Sequence, residues 1–185
     1  MGKRILASLF QSVTLRTAGF NTADLGAMND SSKAIMTLMM LIGGSPGSTA
    51  GGMKTTTIAV LILNAFATFG REPETEVFGR RFDNTVVKNA ATIAILYFFL
   101  FFAGGIAISQ IEHIALSDCL FETASAVGTA GLTLGITTEL GLVSHLILVV
   151  LMYLGRVGGL TLIYAAISVK IQSGAKRPLD KITVG

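Results

Sequence analysis

The stretch SAVGTAGLTLG at residues 125–135 is matched by an earlier and shorter one, TLRTAGFNT, at residues 14–22. Alignment of the two places Thr17–Gly19 on Thr129–Gly131. An internal repeat indicates an architecture built from copies of one unit. Each unit here contains a short polar loop with a central glycine, which we call the first and the second TAG loop.

The repeat continues downstream of both TAG loops. An apolar run, a glycine cluster and a second apolar run follow at residues 37–63 and again at 146–169. Gly43 aligns with Gly155 when a short insertion is allowed in the first copy. Glycine and proline do not continue a helix, so the stretch GGSPGSTAGG, the glycine-rich loop at residues 43–52, predicts an interrupted helix.

The composition indicates a membrane protein. Hydrophobic residues make up 51% of the chain and charged residues only 14%, against about 25% charge in a soluble domain. Residues 90–108 form an apolar run without any charge, long enough for a helix that crosses a bilayer. The net charge of +3 is too small to indicate nucleic-acid binding, and the single Cys119 excludes an internal disulfide.

The pattern of apolar and breaker residues predicts the order of the elements. A polar segment, 70–89, is predicted as a solvent loop or surface helix, and Ser117 or Asp118 is predicted to cap a short helix. A loop is predicted at 127–138. The predicted helices are 5–15, 34–42, 54–69, 90–108, 118–126 and one from about Leu140 to Ile171 with a weak point at 155–159.

The basic residues predict the orientation, because lysine and arginine gather on the cytoplasmic side of membrane helices. The opposite loop, 109–118, has Glu112 and Asp118 but no basic residue, whereas Lys3 and Arg4 fall on the wrong side. The residues predicted to be cytoplasmic are Arg71, Arg80, Arg81, Lys88, Lys170, Lys176, Arg177 and Lys181.

A short helix, a glycine loop and a returning helix together predict a re-entrant arrangement. Irregular backbone inside a membrane is tolerated only where it is buried in protein or lines an aqueous path. Glycine allows successive carbonyl groups to point inward, where they replace the water shell of a cation. The two copies therefore predict an ion pore in an all-α membrane protein with repeated helix–pore-loop–helix units, re-entrant pore helices and broken inner helices.

These residues also resemble a known family. SLFQSVTLRTAGFNT, GGSPGSTAGGMKT, SAVGTAGLTLG and GRVGGLT are similar to the Trk/Ktr/HKT superfamily of potassium transporters, and the tail RPLDKITVG is most similar to the Ktr-type membrane subunit of bacteria. The resemblance implies four pore units around one pore. It divides the chain into a third unit without its first helix (1–69), a cytoplasmic loop (70–89), a complete fourth unit (90–172) and a cytoplasmic tail (173–185).

The resemblance implies two sets of site residues. Filter carbonyls, with potassium as their ion, would come from Arg16, Thr17, Ala18, Gly19, Val127, Gly128, Thr129, Ala130 and Gly131. An intramembrane gate would consist of Gly43, Gly44, Ser45, Gly47, Ser48, Thr49, Gly51 and Gly52, together with Arg156 in the last helix.

The resemblance also implies the setting of the pore. Potassium would be the substrate, sodium a possible coupling ion, and no cofactor would be covalently bound. Partners would be membrane lipid, a cytosolic nucleotide-binding regulatory ring and a second full-length subunit in a homodimer, in a bacterial plasma membrane crossed several times. Two of the four units are missing from this chain, so we expect it to be the C-terminal piece of a longer protein, or two copies to assemble.

Two polar residues and one further motif allow more than one interpretation. Arg156 lies in an apolar helix and is predicted to face the bundle interior, the alternative being a side chain that extends to the membrane surface. Glu122 is predicted to bond the loop behind the filter. The rival interpretation is a phosphate-binding loop of a nucleotide hydrolase, with residues 37–42 as its strand, although Met53 interrupts the motif before Lys54. A non-conducting remnant is a further alternative.

Overall fold

The chain is predominantly helical. The computed structural model describes residues 2–22, 24–71, 75–77, 80–158 and 161. The helices of this part are α1 Gly2–Thr14, α2 Asp30–Leu41, α3 Thr55–Phe69, α4 Asn84–Glu112, α5 Leu116–Gly128 and α6 Leu142–Val157. A 3₁₀ turn, Ile136–Glu139, precedes α6. Strands β1 Glu76–Val77 and β2 Arg80–Arg81 form a short antiparallel hairpin.

Helix α4 contains the uncharged run predicted to span the membrane. Among the described residues it is the one helix long and apolar enough to do so by length and composition. Its 29 residues correspond to about 43 Å, more than the roughly 30 Å of a hydrocarbon core. Its N-terminus is capped by Asp83, whose carboxylate accepts a hydrogen bond from the Thr85 N–H at 3.2 Å. Phe99 and Ile95 are largely exposed, as side chains that contact lipid would be.

Helix α5 lies at the centre of the fold and packs against α2, α4 and α6. Residues 121–128 are all buried. Glycines on α4 permit this packing: a Cβ on Gly104 would lie 2.6 Å from Leu151 Cδ1, and one on Gly105 would lie 2.5 Å from Leu120 Cδ2. Small residues at helix contacts allow the close approach typical of membrane proteins. With 13 residues, α5 is about 20 Å long, which is too short to span a bilayer.

The predicted interruption between α2 and α3 is confirmed. Helix α2 ends at Leu41, helix α3 begins at Thr55, and the glycine-rich loop lies between them. Residues 37–41 are helical, whereas the nucleotide hydrolase interpretation needed a strand there. That interpretation is therefore wrong.

The predicted cap of the short helix is also wrong. Helix α5 begins at Leu116, and its N-cap is Ala115, which makes no side-chain capping bond. The chain turns earlier than the capping residues indicated, because His113 ends α4 in the left-handed conformation with φ of 56°. The loop predicted at 127–138 begins instead at Thr129.

Two further boundaries differ from the prediction. Helix α2 begins at Asp30 rather than at residue 34, because Asn29 caps it by accepting a hydrogen bond from the Ser32 N–H at 2.9 Å. The segment 70–89 contains the β1–β2 hairpin and the first turn of α4 rather than only loop or surface helix. The second half of the last predicted helix and the tail 173–185 lie outside the described residues.

Candidate functional site

The two TAG loops lie directly against each other. The first follows α1 at residues 15–20, and the second follows α5 at residues 129–135. A Cβ on Gly19 would lie 2.7 Å from the Ala130 carbonyl oxygen and 3.5 Å from the Cα of Gly131. The chain therefore brings its two copies of the repeated motif together, backbone against backbone.

Both TAG loops share one backbone pattern. Thr17 and Thr129 have φ of 64° and 52°, and Gly19 and Gly131 have φ of 70° and 83°. Both glycines therefore lie in a region of φ that glycine adopts readily and other residues avoid. A β-branched threonine in the left-handed region is a genuine outlier, with a cost of about 1–3 kcal/mol that the surroundings must offset. Strain of this kind, repeated at matched positions, is typical of functional sites.

The remaining predicted filter residues have different surroundings. Val127 and Gly128 form the last turn of α5. The Val127 carbonyl oxygen packs against Gly155 of α6, where a Cβ would approach it to 2.1 Å. Ala130 is buried, while Arg16 and Ala18 are exposed in this chain. The non-helical carbonyl groups of the second loop thus begin at Thr129.

Thr14 holds the first TAG loop. Its buried hydroxyl donates to the Phe20 carbonyl at 2.9 Å and accepts from the Phe20 N–H at 3.0 Å. This closes residues 15–19 into a compact turn. This role of Thr14 was not predicted from the sequence; its position at the end of α1 and at the start of the repeated motif was the available signal.

Glu122 holds the second TAG loop, as predicted. One carboxylate oxygen accepts from the Leu134 N–H at 3.0 Å and from the Thr133 hydroxyl at 2.5 Å, and the other accepts from the Thr137 hydroxyl at 2.8 Å. Glu122 is 4% exposed. A buried carboxylate with several donors fixes the loop behind the contact of the two TAG loops.

We expect Glu122→Ala to lower the free energy of unfolding by about 2–4 kcal/mol, because three donors lose a charged acceptor. Thermal unfolding of the detergent-solubilised protein measures this loss. Glu139→Ala is the matched control, since Glu139 is exposed at the end of the same loop region. Equal melting temperatures for the two variants would contradict the role of Glu122.

After the second TAG loop, the chain returns to the end of α4, close to where α5 begins. Glu112, the last residue of α4, accepts hydrogen bonds from the Gly141 N–H at 2.8 Å and from the Ser144 hydroxyl. Helix α5 begins at Leu116, four residues after Glu112. At Gly141 the chain again lies beside the Glu112 carboxylate. Glu112 was singled out in the sequence only as an acidic residue of the outer loop.

The glycine-rich loop is closed at its base by backbone bonds. The Gly43 N–H donates to the Met53 carbonyl at 2.7 Å, and the Met53 N–H donates to the Leu41 carbonyl at 3.2 Å. Ile42 and Met53 form an isolated parallel bridge. The loop therefore leaves the end of α2 and returns beside it at Met53, before α3 begins.

The glycine-rich loop packs under the end of α5. The Gly51 N–H donates to the Thr129 hydroxyl at 2.9 Å, and the Gly52 N–H donates to the Gly155 carbonyl at 3.3 Å. A Cβ on Gly52 would lie 3.2 Å from the Cα of Gly128. Backbones of the loop, of α5 and of α6 thus meet at glycines, which explains their aligned positions in the repeat.

Two cations bind carbonyl groups of the glycine-rich loop. The Arg156 guanidinium donates to the Thr49 carbonyl. Arg156 is exposed in this chain, so the prediction that it faces the bundle interior is not confirmed by the described residues. The Lys54 ammonium donates to the Ala50 carbonyl at 2.6 Å and to the Ser48 carbonyl at 3.4 Å. In the sequence Lys54 was noted only as part of the rival phosphate-binding motif. Three consecutive carbonyl groups are therefore held by positive charges of the protein itself.

One long apolar helix packed against a buried short helix, with two strained glycine loops in contact, fits the helical membrane transport protein that the sequence predicts. Residues 1–175 match the model of the TrkH family, described as cation transport protein. The chain belongs to this family. It is a family of transporters and not of enzymes.

Individual relatives agree with the family. The chain is 35% identical to Ktr system potassium uptake protein B of Bacillus subtilis over 182 residues, which are 98% of this chain and 41% of that protein. It is 34% identical to potassium/sodium uptake protein NtpJ of Enterococcus hirae over 99% of this chain and 42% of that protein. Ktr system potassium uptake protein B of Vibrio alginolyticus is 39% identical over 88% of this chain and 36% of that protein. The chain thus spans about two fifths of the length of these curated relatives.

Proposed function

We propose that this chain supplies two of the four loops of a potassium-selective pore. The observation that carries the proposal is the contact between the TAG loops, whose matched residues share positive φ values at Thr17, Gly19, Thr129 and Gly131. Carbonyl groups of such loops replace the hydration shell of an alkali cation. The carboxyl ends of α1 and α5 add the negative end of each helix dipole.

The filter in this proposal comprises the predicted residues with non-helical backbone, which are Arg16–Gly19 and Thr129–Gly131. Val127 and Gly128 support it from the last turn of α5. Potassium is the transported ion, in keeping with the names of the relatives, one of which is named for potassium and sodium. Sodium is accordingly the ion to test for coupling.

Four loops are needed to surround one ion, and the described residues contain two. We use the term complete transporter for the assembly with all four, whether they belong to one longer chain or to two copies of this one. In this proposal α1 and α5 are re-entrant helices. The return of the chain at Gly141 to the carboxylate of Glu112 supports this for α5.

The glycine-rich loop is the gate in this proposal, and Arg156 is its latch. A guanidinium below the filter raises the electrostatic cost for a passing cation, and its bond to the Thr49 carbonyl keeps the loop in place. A cytosolic nucleotide-binding ring is the proposed regulator that moves the loop, and a homodimer in the bacterial plasma membrane is the proposed assembly.

Potassium flux into proteoliposomes tests the proposed function. Vesicles with the complete transporter should take up potassium down its gradient faster than empty vesicles, and sodium more slowly than potassium. Absence of any cation flux from a correctly inserted transporter would favour the non-conducting remnant instead.

Sidedness gives a separate prediction, since the basic segment 70–89 should be cytoplasmic. In a Cys119→Ala background, an impermeant maleimide should label a cysteine at Glu139 in intact cells and one at Glu76 only after permeabilisation. Glu139 is preferable to Glu112, whose carboxylate holds Gly141. The parent without added cysteines is the control, and labelling of position 76 in intact cells would reverse the topology.

A further inference from the structure

We propose that Thr129 couples the gate to the filter, so that the selectivity of the pore depends on the position of the glycine-rich loop. This inference rests on the proposed function and concerns the regulation of the same site. It assigns a positioning role to the Thr129 hydroxyl group. This group lies between the filter and the gate of the proposed function.

The hydroxyl of Thr129 joins the two loops directly. It accepts a hydrogen bond from the Gly51 N–H at 2.9 Å, and Gly51 is buried. A buried backbone N–H requires an acceptor, and among the described residues Thr129 provides it. The partners are 78 residues apart in the chain.

The contact is tight as well as polar. A Cβ on Gly51 would lie 2.5 Å from Thr129 Cγ2, 2.6 Å from Thr129 Oγ1 and 3.0 Å from the Gly155 carbonyl oxygen. The glycine-rich loop therefore fills the space beneath the Thr129 side chain. It cannot move aside without breaking this bond and exposing that side chain.

Thr129 itself is held in a strained conformation. Its φ of 52° is unfavourable for a β-branched residue, and it is followed directly by Ala130 and Gly131 of the filter. Support from Gly51 helps to offset this strain. When the loop withdraws, the strain can relax, and the carbonyl groups of residues 129–131 shift with it.

The first TAG loop provides an internal comparison. Thr17 has the same conformation, with φ of 64°, but among the described residues its hydroxyl makes no hydrogen bond. The two loops are thus alike in backbone and differ in their connection to the glycine-rich loop. Movement of the gate is therefore expected to act directly on the second loop.

A double-mutant cycle tests the coupling. The ratio of potassium to sodium flux is measured in proteoliposomes for the wild type, Thr129→Val, Arg156→Gln and the double variant of the complete transporter. Thr129→Val should change the ratio by roughly two- to tenfold with the loop latched, which is the range for one neutral hydrogen bond. In the Arg156→Gln background, where one of the bonds that hold the loop is lost, the change should be clearly smaller.

Three further variants serve as controls for the double-mutant cycle. Thr129→Ser keeps the hydroxyl and should restore most of the wild-type ratio. Thr17→Val should have the same effect, whatever its size, in both backgrounds. Gly51→Ala breaks the same contact from the other side and should change the ratio in the same direction as Thr129→Val, which keeps the test valid if Thr129→Val does not reach the membrane.

The outcomes separate this inference from the proposed function. Equal effects of Thr129→Val in both backgrounds, or a wild-type ratio in Gly51→Ala, would overturn the coupling while potassium flux persists. Absence of flux in the wild type would instead overturn the proposed function.

Discussion

Replacing Arg156 by Gln should raise potassium flux through the complete transporter. The substitution removes the guanidinium that binds the Thr49 carbonyl, and with it the positive charge next to the proposed gate. A hydrogen bond to a charged group contributes about 1.5–3 kcal/mol, which corresponds to a roughly 10- to 100-fold shift of the gate toward the open position. The potassium flux should rise to the extent that the closed gate limits the flux of the wild type.

Deletion of Pro46 and Gly47 should also raise flux, because it shortens the exposed tip of the glycine-rich loop. Lys54→Gln should act in the same direction, since it removes the ammonium from the Ala50 carbonyl. In all three variants the potassium flux should depend less on the proposed regulatory ring. Arg80→Gln is the matched control, because it removes the same charge from the exposed hairpin.

Initial rates of potassium uptake, normalised to transporter in the membrane, measure these effects. The gate assignment fails if Arg156→Gln and the shortened loop both stay at or below the wild-type rate at normal protein levels.

Replacing Gly19 by Ala should have the second large effect, a loss of potassium flux of roughly tenfold or more. An alanine at φ of 70° costs about 1–2 kcal/mol. Its Cβ would also lie 2.7 Å from the Ala130 carbonyl oxygen, and backbone atoms cannot move aside as a flexible side chain can. The clash lies at the contact of the two TAG loops.

Gly131→Ala should be milder than Gly19→Ala, because its Cβ would meet the Cα of Gly19 at 3.6 Å, an ordinary contact. Gly135→Ala is the control: it has φ of 100° and open space around it, but lies outside the filter. Flux and the potassium to sodium ratio are measured for all three. Wild-type values for both Gly19→Ala and Gly131→Ala would remove the filter assignment.

Local features of the chain could be predicted from the sequence because neighbouring residues decide them. The apolar run at 90–108 is helical in α4, and the glycine-rich loop interrupts α2 and α3. The positive φ of Gly19 and Gly131 follows from two matching motifs. The incorrect boundaries were local too: Asn29 begins α2 as its N-cap, and His113 ends α4 in the left-handed conformation.

The sequence by itself therefore determined the class of protein, the repeat and the residue types of both loops. Only the tertiary structure decided that the Gly51 N–H meets the Thr129 hydroxyl and that Lys54 and Arg156 hold adjacent carbonyl groups. The physical reason is that these contacts depend on how closely α2, α5 and α6 approach. That distance is set by glycines far apart in the chain, at which three backbones meet without side chains between them.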